Sequence, residues 1–217
     1  MNYELLENNK VTLCGVVASL PEYSHEVYGE EFYNLQLAVE RLSDNQDIIP
    51  ITVSDRLLKV NNFELGTKVY IKGQFRSYNK IENDKSKLML TVFVREVLSE
   101  FDEDVTNEII LTGYVCKSPV YRTTPFKREI CDVLIAVNRA YNKSDYLPCI
   151  AWGRNARFAK NLQVGDGVNI VGRIQSRDYQ KKLEDDKTIT KTAYEISISQ
   201  ISYLKNENQV QFEQYYK

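Results

Sequence analysis

The chain has 217 residues, of which 43% are hydrophobic and 27% are charged, a composition typical of globular proteins and a length that suits two domains. No apolar run is long enough to span a bilayer, and the first ten residues are too polar for a secretory signal, so we expect a cytoplasmic protein. The net charge of −2 conceals an asymmetry, since residues 1–104 carry 11 basic and 18 acidic side chains and residues 105–217 carry 17 and 12. A cationic second half favours a polyanionic partner, because phosphate contacts dominate nucleic-acid affinity.

The chain repeats itself with a period of about 98 residues. The matching segments include Val11–Gly15 with Ile109–Gly113, Leu35–Arg41 with Val133–Arg139 and, after one inserted residue, Leu65–Gly73 with Val164–Gly172. A duplication of this length predicts two domains of the same fold, at residues 1–103 and 104–217. The acidic segment Glu100–Asn107 is interpreted as the linker between them.

Each copy alternates apolar and polar residues in short runs separated by turn residues, which predicts antiparallel β-structure. In the second copy the strands are expected near 108–117, 131–140, 146–152, 168–177 and 193–203, with a short helix within Gly153–Leu162. Five strands with a helix between the third and fourth is the plan of the OB fold, a small Greek-key barrel that commonly binds oligonucleotides. We therefore predict an all-β protein of two tandem OB folds.

Strand alternation in the second copy predicts which side chains point away from the core. The core sets are Leu147, Cys149 and Ala151 on one strand, and Val168, Ile170, Gly172 and Ile174 on another. This leaves an outer face of aromatic and basic side chains: Tyr146, Trp152, Arg154, Arg173, Gln175, Arg177 and Tyr179, extended by Arg122, Arg139 and Tyr141. Aromatic rings stack on unpaired bases and arginines follow the phosphates, so this mixture is typical of single-stranded nucleic-acid binding. The alternative is that these aromatics pack beneath loops or at a protein interface.

The second copy resembles the bacterial single-stranded DNA-binding protein family at Pro119–Tyr179 and Tyr194–Leu204. That family has Pro and Arg after its first strand, an alternating strand ending in Asn-Arg, an aromatic residue opening the next strand, and a Gly-Arg strand. The resemblance implies base stacking by Tyr141, Tyr146, Trp152 and Tyr179, and basic contacts by Arg122, Arg154, Arg173 and Arg177. It also implies single-stranded DNA as the partner, roles in replication, repair or recombination, association with the nucleoid, and a homodimer that assembles four OB folds.

The first copy matches the family pattern less well. Ile48 and Ser54 stand where the second copy has Tyr146 and Trp152, and the turn at Pro21–Gly29 is acidic. Its outer face keeps six candidate side chains for weaker contacts, Arg41, Arg56, Lys72, Arg76, Tyr70 and Tyr78. We expect the first domain to bind more weakly or to be structural. The final residues, Gln209–Lys217, lack an acidic tip, so recruitment of other enzymes through a tail is not expected.

Metal, redox and nucleophilic chemistry find little support in the sequence. Cys14, Cys116, Cys131 and Cys149 have no CxxC spacing, and His25, the one histidine, stands in a turn-like stretch, so we expect buried free thiols, no metal and no cofactor. The Gly165–Gly167 turn lacks the Lys-Ser/Thr of a phosphate-binding loop. We expect no enzyme and no small-molecule substrate.

Four alternatives stay open. The barrels could form a primosome-like adapter that holds proteins more than DNA, and RNA could replace DNA as the ligand. The hairpin segment Gln180–Thr190 is either a solvated turn or a flexible finger that closes over bound strand. The acidic cluster Glu184–Asp186 within it could in principle hold Mg²⁺, but a solvated cluster is the favoured interpretation.

Overall fold

The computed structural model describes residues 8–41, 43, 45–82, 85–100, 105–182 and 188–204. Within these ranges the chain forms eleven β-strands and two short α-helices. The first copy contains β1 Asn9–Val17, β2 Glu22–Val27, β3 Glu30–Glu40, β4 Gln46–Ser54, α1 Asp55–Val60, β5 Lys68–Glu82 and β6 Lys85–Leu98. The second contains β7 Asn107–Thr123, β8 Glu129–Arg139, β9 Lys143–Trp152, α2 Arg154–Ala159, β10 Gly167–Lys182 and β11 Thr188–Tyr203. None of the helices in the described part of the chain has the length and apolar character needed to cross a membrane.

Each copy closes into a five-stranded barrel, and the all-β prediction is confirmed. The first barrel runs β1–β5–β6–β4–β3 and returns to β1, and the second runs β7–β8–β9–β11–β10 and returns to β7. The closing pairs β4–β6 and β9–β11 are parallel, whereas the other neighbours are antiparallel. Helix α1 lies between β4 and β5, and α2 lies between β9 and β10.

The predicted core alternation holds in the second barrel. Leu147, Cys149 and Ala151 of β9 and Val168, Ile170 and Ile174 of β10 are at most 3% exposed. Gly172 stands in this row because a Cβ there would lie 2.4 Å from the carbonyl oxygen of Ser197 on the neighbouring strand. Helix α2 adds Ala156 and Ala159 to the same core.

The duplication extends to individual hydrogen bonds. In the first barrel the side chain of Asn9 donates to the carbonyl of Phe75 at 2.7 Å and accepts from its N–H at 3.0 Å. In the second, Asn107 makes the same pair of bonds to Ile174, at 2.7 and 2.9 Å. The same pair of bonds therefore holds β1 to β5 in the first barrel and β7 to β10 in the second.

The two barrels share one continuous sheet, because β1 pairs with β7 in antiparallel register. Val11 stands opposite Ile109, and these residues occupy the same position in the two copies. Both are at most 1% exposed. The pairing therefore relates the copies by a local pseudo-two-fold axis through these two residues, as in an isologous interface.

Several sequence-based expectations need correction. Tyr70, which stands opposite Cys14 on β1 and Leu98 on β6, is only 7% exposed and does not contribute to an open outer face. Gln175 is 8% exposed and donates to Glu195 Oε1 at 2.8 Å, so it does not contribute to an open face. His25 lies on strand β2, with its ring stacked on Phe32.

Cys14, Cys131 and Cys149 are buried free thiols, whereas Cys116 is half-buried.

Other predictions fall partly on residues that the structure does not describe. Strand β7 already begins at Asn107, and residues 101–104 of the expected linker, with the expected domain boundary, lie outside the described residues. Residues 183–187 of the hairpin, which include Glu184–Asp186, lie outside them too, while both flanks of the hairpin are strand.

Candidate nucleic-acid interface

An aromatic face covers the outside of strands β7, β8 and β9. Residues directly opposite one another on paired strands point to the same side of a sheet, and Tyr114 stands opposite Ala136, which stands opposite Tyr146. Further along, Arg122 stands opposite Ile130, which stands opposite Trp152. Tyr114, Tyr146 and Trp152 are 43%, 47% and 38% exposed. We call this surface the aromatic face.

The aromatic face has the dimensions of a binding surface for several nucleotides. Tyr146 and Trp152 are six residues apart on β9, which corresponds to about 20 Å along the strand. Tyr114 and Tyr146 are two strands apart, roughly 10 Å across the sheet. A surface of this size with three exposed rings suits one OB fold, for which site sizes run from about 4 to 16 nucleotides.

The basic residues next to the aromatic face are partly neutralised. Arg122 Nε donates to Asp132 at 2.9 Å, and Arg177 Nε lies 3.7 Å from Glu195. Both arginines remain more than half exposed, so the ion pairs are weak and can be exchanged for phosphates. The carboxylate of Asp132 raises the pKa of Arg122 by accepting its hydrogen bond, and the arginine stays fully charged.

Arg154 and Tyr179 complete the predicted site in the second barrel. Arg154 opens helix α2 two residues after Trp152 and is exposed, with no ion pair to any described residue. The intervening Gly153 has φ of +52°, a left-handed conformation that turns the chain sharply from strand to helix. Tyr179 is 39% exposed on β10, opposite Lys191.

Arg41 and Arg173 bind a buried carboxylate at the junction of the two barrels. Asp47 of β4 is completely buried. It accepts a 2.8 Å hydrogen bond from Arg41 Nε and lies 3.4 Å from Arg173 Nη1. It also accepts from the N–H of Ser176, on β10 of the other barrel, at 2.6 Å. These contacts cross the junction and hold β4 against β10.

The equivalent residue of the second copy, Asp145, makes a weaker version of this network. It accepts from the N–H of Ser77, on β5 of the first barrel, at 2.7 Å. Arg139 Nε lies 3.5 Å from Oδ2 of Asp145, and that buried oxygen has no hydrogen-bond partner among the described residues. Burial is the main cause of the raised pKa of Asp145, which the bond from Ser77 and the nearby Arg139 and Arg76 only partly offset.

Tyr141 and the weaker candidates of the first copy occupy different places. Tyr141 lies in the turn between β8 and β9, with φ of +61°, and is 87% exposed. Tyr78 is 44% exposed on β5. Lys72 and Arg56 are exposed, and Arg56 lies 3.9 Å from Glu30. Arg76 is largely covered, with its guanidinium 3.9 Å from the centre of the Phe93 ring.

The sequence reasoning missed Tyr114, Lys117, Tyr28 and Arg95. Tyr114 could have been found, because Ile109, Leu111, Gly113 and Val115 form the buried alternate positions of the same strand. Lys117, opposite Leu134, is exposed on the aromatic face. Tyr28, with φ of +52°, and Arg95 line a groove between the barrels, and no local pattern places them there.

The described residues contain no group of three histidine, cysteine or acidic side chains arranged to hold a metal ion.

Comparison with known proteins gives this surface a context. Residues 106–204 match the model of the single-strand binding protein family. The match covers the second copy of the chain. The matched residues include the three rings of the aromatic face.

Individual relatives agree with the family match. Single-stranded DNA-binding protein 1 of Staphylococcus aureus (strain COL) is 32% identical over 83 residues, which cover 35% of this chain and 50% of that protein. This chain thus spans about half the length of the Staphylococcus aureus relatives that it matches.

Solved structures show the same fold. The wild-type single-stranded DNA-binding protein from Thermus aquaticus superposes with a TM-score of 0.71 at 18% identity, over 91% of this chain and 93% of that one. The N-terminal domain of PriB protein from Thermoanaerobacter tencongensis is 52% identical over 43% of this chain. Its TM-score of 0.37 is too low to show a shared arrangement of the two whole chains.

Proposed function

We propose that this protein binds single-stranded DNA without strong sequence preference, chiefly through the aromatic face of its second barrel. The observation that carries this proposal is the group of exposed rings, Tyr114, Tyr146 and Trp152, on the outer surface of the barrel within the part of the chain that matches the family. Any base can stack on such rings, at about 1–3 kcal/mol per base. Arg122, Arg154, Arg177 and Tyr179 lie on the same barrel and supply the phosphate contacts and a further ring.

The first barrel, the acidic half of the chain, has the weaker part in this proposal. Its β4 carries Ile48 and Ser54 in place of two of the rings, and Ser54 is buried as the N-cap of α1. Arg41 holds Asp47 instead of facing solvent freely. Arg56, Lys72 and Tyr78 remain exposed for additional contacts.

The biological setting follows from the same proposal. The protein protects or organises single strands during replication, repair or recombination, at the nucleoid in the cytoplasm, and catalyses no reaction. Two copies associate as a homodimer, which brings four OB folds together around one strand. Such an assembly would let a long strand pass from barrel to barrel, with avidity that a single barrel lacks.

The proposal is tested by replacing two rings at once. The variant Trp152→Ala with Tyr179→Ala is expected to weaken binding of a labelled oligo-dT of about 35 nucleotides by at least tenfold in fluorescence anisotropy, since two stacking contacts are lost. Tyr23→Ala is the matched control, because Tyr23 is an exposed ring on β2, on the other barrel. Circular dichroism verifies that both variants remain folded.

Unchanged DNA affinity of the folded double variant would contradict the aromatic-face proposal. If a protein partner were lost at the same time, the adapter function would replace it. Parallel titration with oligo-U of the same length decides between DNA and RNA, and a preference for RNA of tenfold or more would overturn the assignment of the ligand.

A further inference from the structure

A second groove-like surface lies between the two barrels, on one side of their pseudo-two-fold axis. We call it the arginine groove, a cavity of about 960 Å³ whose charged and aromatic lining is Tyr28, Arg76, Arg95, Arg139, Tyr141 and Lys143. The first three come from the first barrel and the last three from the second. Its described lining contains four cationic side chains and no carboxylate.

The described residues compensate the positive charge in this groove only in part. Arg76 and Arg95 both donate to one neutral acceptor, Gln74 Oε1, at 2.9 and 3.2 Å. Arg76 Nε is buried and has no hydrogen-bond partner among the described residues. The nearest carboxylate in the network is Asp145, which Arg139 approaches at 3.5 Å. A cluster of guanidinium groups with unused donors is a site that an anion would occupy.

The lowered pKa of Arg76 also favours a bound anion in the groove. Burial lowers the pKa of Arg76 to about 10, and the positive charges of Arg95 and Arg139 add to the effect. The guanidinium also lies over the Phe93 ring. A bound anion would counter this depression, because an opposite charge close to a titratable group favours its charged form.

The groove on the other side of the pseudo-two-fold axis provides an internal comparison. It is smaller, about 560 Å³, and its lining includes Glu40, Arg41, Ser43, Glu108, Arg173 and Ser199. Its two arginines both contact the buried Asp47. Two cations there face three carboxylates, whereas the arginine groove has four cations around Asp145.

The difference arises at equivalent positions of the two grooves. The repeat and the strand registers match Tyr141 with Ser43, Arg95 with Ser199, and Arg76 with Gln175. The shared fold supplies both grooves, so the fold alone does not account for the additional arginines and the aromatic ring that only one of them has. The arginine groove therefore has the chemistry of a specialised anion site.

Two tyrosines at the rim of the arginine groove indicate which kind of anion the groove would bind. Tyr28 forms a two-residue hairpin turn with Gly29 and is fully exposed, and Tyr141 is 87% exposed in the β8–β9 turn. Both have positive φ, at 52° and 61°, a conformation that costs a bulky residue some free energy. Exposed rings beside a phosphate-binding groove match a nucleotide chain, whose bases stack while its phosphates contact cations.

We propose that the arginine groove binds the phosphodiester backbone of single-stranded DNA as the strand crosses from the second barrel to the first, with Tyr28 and Tyr141 stacking on the flanking bases. This inference rests on the proposed function. It adds a continuous path that includes Tyr28, Arg95 and Lys143, three residues outside the aromatic face.

The test uses a double variant, Arg95→Gln with Lys143→Gln, because both side chains are exposed and their replacement leaves Arg76, Arg139 and the buried Asp145 in place. The control is Lys59→Gln with Lys87→Gln, which removes two exposed positive charges from the first copy outside the groove. Each protein is titrated with oligo-dT of about 8 and about 35 nucleotides, between 50 and 200 mM salt. The short strand covers one barrel and the long strand reaches the groove.

The groove variant is expected to bind the long strand more weakly, with the slope of log affinity against log salt reduced by about 1.4, since each single-strand phosphate contact contributes about 0.7. Its affinity for the short strand and both affinities of the control should equal those of the unmodified protein. An unchanged slope and affinity for the long strand would overturn the groove proposal and leave the aromatic face standing. Failure of the unmodified protein to bind either strand at low salt would instead refute the proposed function, and the groove proposal with it.

Discussion

Asp47 and Asp145 occupy the same position in the two copies, and their different surroundings predict different effects of the same substitution. In Asp47→Asn the side chain loses the charge that holds Arg41 at 2.8 Å and Arg173 at 3.4 Å across the junction. Removing one partner of a buried ion pair costs roughly 3–5 kcal/mol of unfolding free energy. For a chain of this length that corresponds to a melting temperature lower by about 6–20 °C.

Asp145→Asn should cost far less. The carboxylate of Asp145 accepts from the N–H of Ser77 at 2.7 Å and from its hydroxyl at 3.4 Å, and an asparagine oxygen can accept the same bonds. Its Oδ2 accepts no hydrogen bond from any residue that the structure describes, and Arg139 is 3.5 Å away. The attraction to Arg139 is offset by the desolvation of the buried charge, so we expect a change of about 1 kcal/mol or less.

Urea denaturation at pH 7, followed by far-ultraviolet circular dichroism, compares the two variants directly. With equal slopes, a lower midpoint reports a loss of stability. The account of the junction would be refuted if the two substitutions cost the same within about 0.5 kcal/mol, or if Asp145→Asn were the more damaging, because the asymmetry of the two networks would then have no energetic meaning.

Further outcomes follow from single sites. The pKa of Asp145 is raised, so the folded protein keeps that proton at pH values where the unfolded chain has lost it, and stability falls as pH rises through this window. The stability of Asp145→Asn relative to the parent should therefore improve across the same window. Denaturation midpoints of the two proteins that differ by a constant amount from pH 4 to 7 would count against this. Gly113→Ala should lower the unfolding free energy by about 1–3 kcal/mol, because its Cβ would lie 2.6 Å from the carbonyl oxygen of Ala136; an unaltered urea midpoint would show that β7 and β8 can separate freely. Tyr114→Ala should weaken oligo-dT binding by about 1–3 kcal/mol, and anisotropy titrations equal to those of Tyr23→Ala would remove Tyr114 from the site. In the native protein a thiol reagent should modify half-buried Cys116 first, whereas buried Cys149, whose pKa burial raises, should react only after unfolding; equal rates at the two thiols would contradict the described core.

The barrel fold was open to prediction because its signals are local or repeated. Alternation with a period of two marked Leu147, Cys149 and Ala151 as core, and the burial of these residues confirms it. The repeat predicts each strand a second time, at the matching position of the other copy. The exposure of Tyr146 and Trp152 followed from the same alternation.

The junction between the barrels could not be predicted in this way. The contact from Asp47 to Ser176 spans 129 residues in sequence, and an aspartate in an alternating strand looks like a solvated residue. For the same reason alternation predicts phosphate contacts by Arg41, Arg139 and Arg173, but it gives no sign that each of them lies beside a buried carboxylate. Alternation identifies the outer face of a barrel but not the part of it that another barrel covers.

The turns that line the arginine groove illustrate a second limit. Tyr28 and Tyr141 occupy left-handed positions that usually take glycine, asparagine or aspartate. Propensity therefore gives no reason to expect an aromatic ring there. Only the position of these turns beside the junction brings the two rings to one groove.

Fluorescence of Trp152, the one tryptophan in the chain, tests the central claim most directly. The protein is titrated with an oligo-dT of about 35 nucleotides at low and high salt, and emission is followed at each addition. Binding of single-stranded DNA to the aromatic face predicts saturable quenching at low salt, with an affinity that falls steeply as salt rises. Tight binding without any change in Trp152 emission would contradict the site, and no binding at low salt would contradict the function.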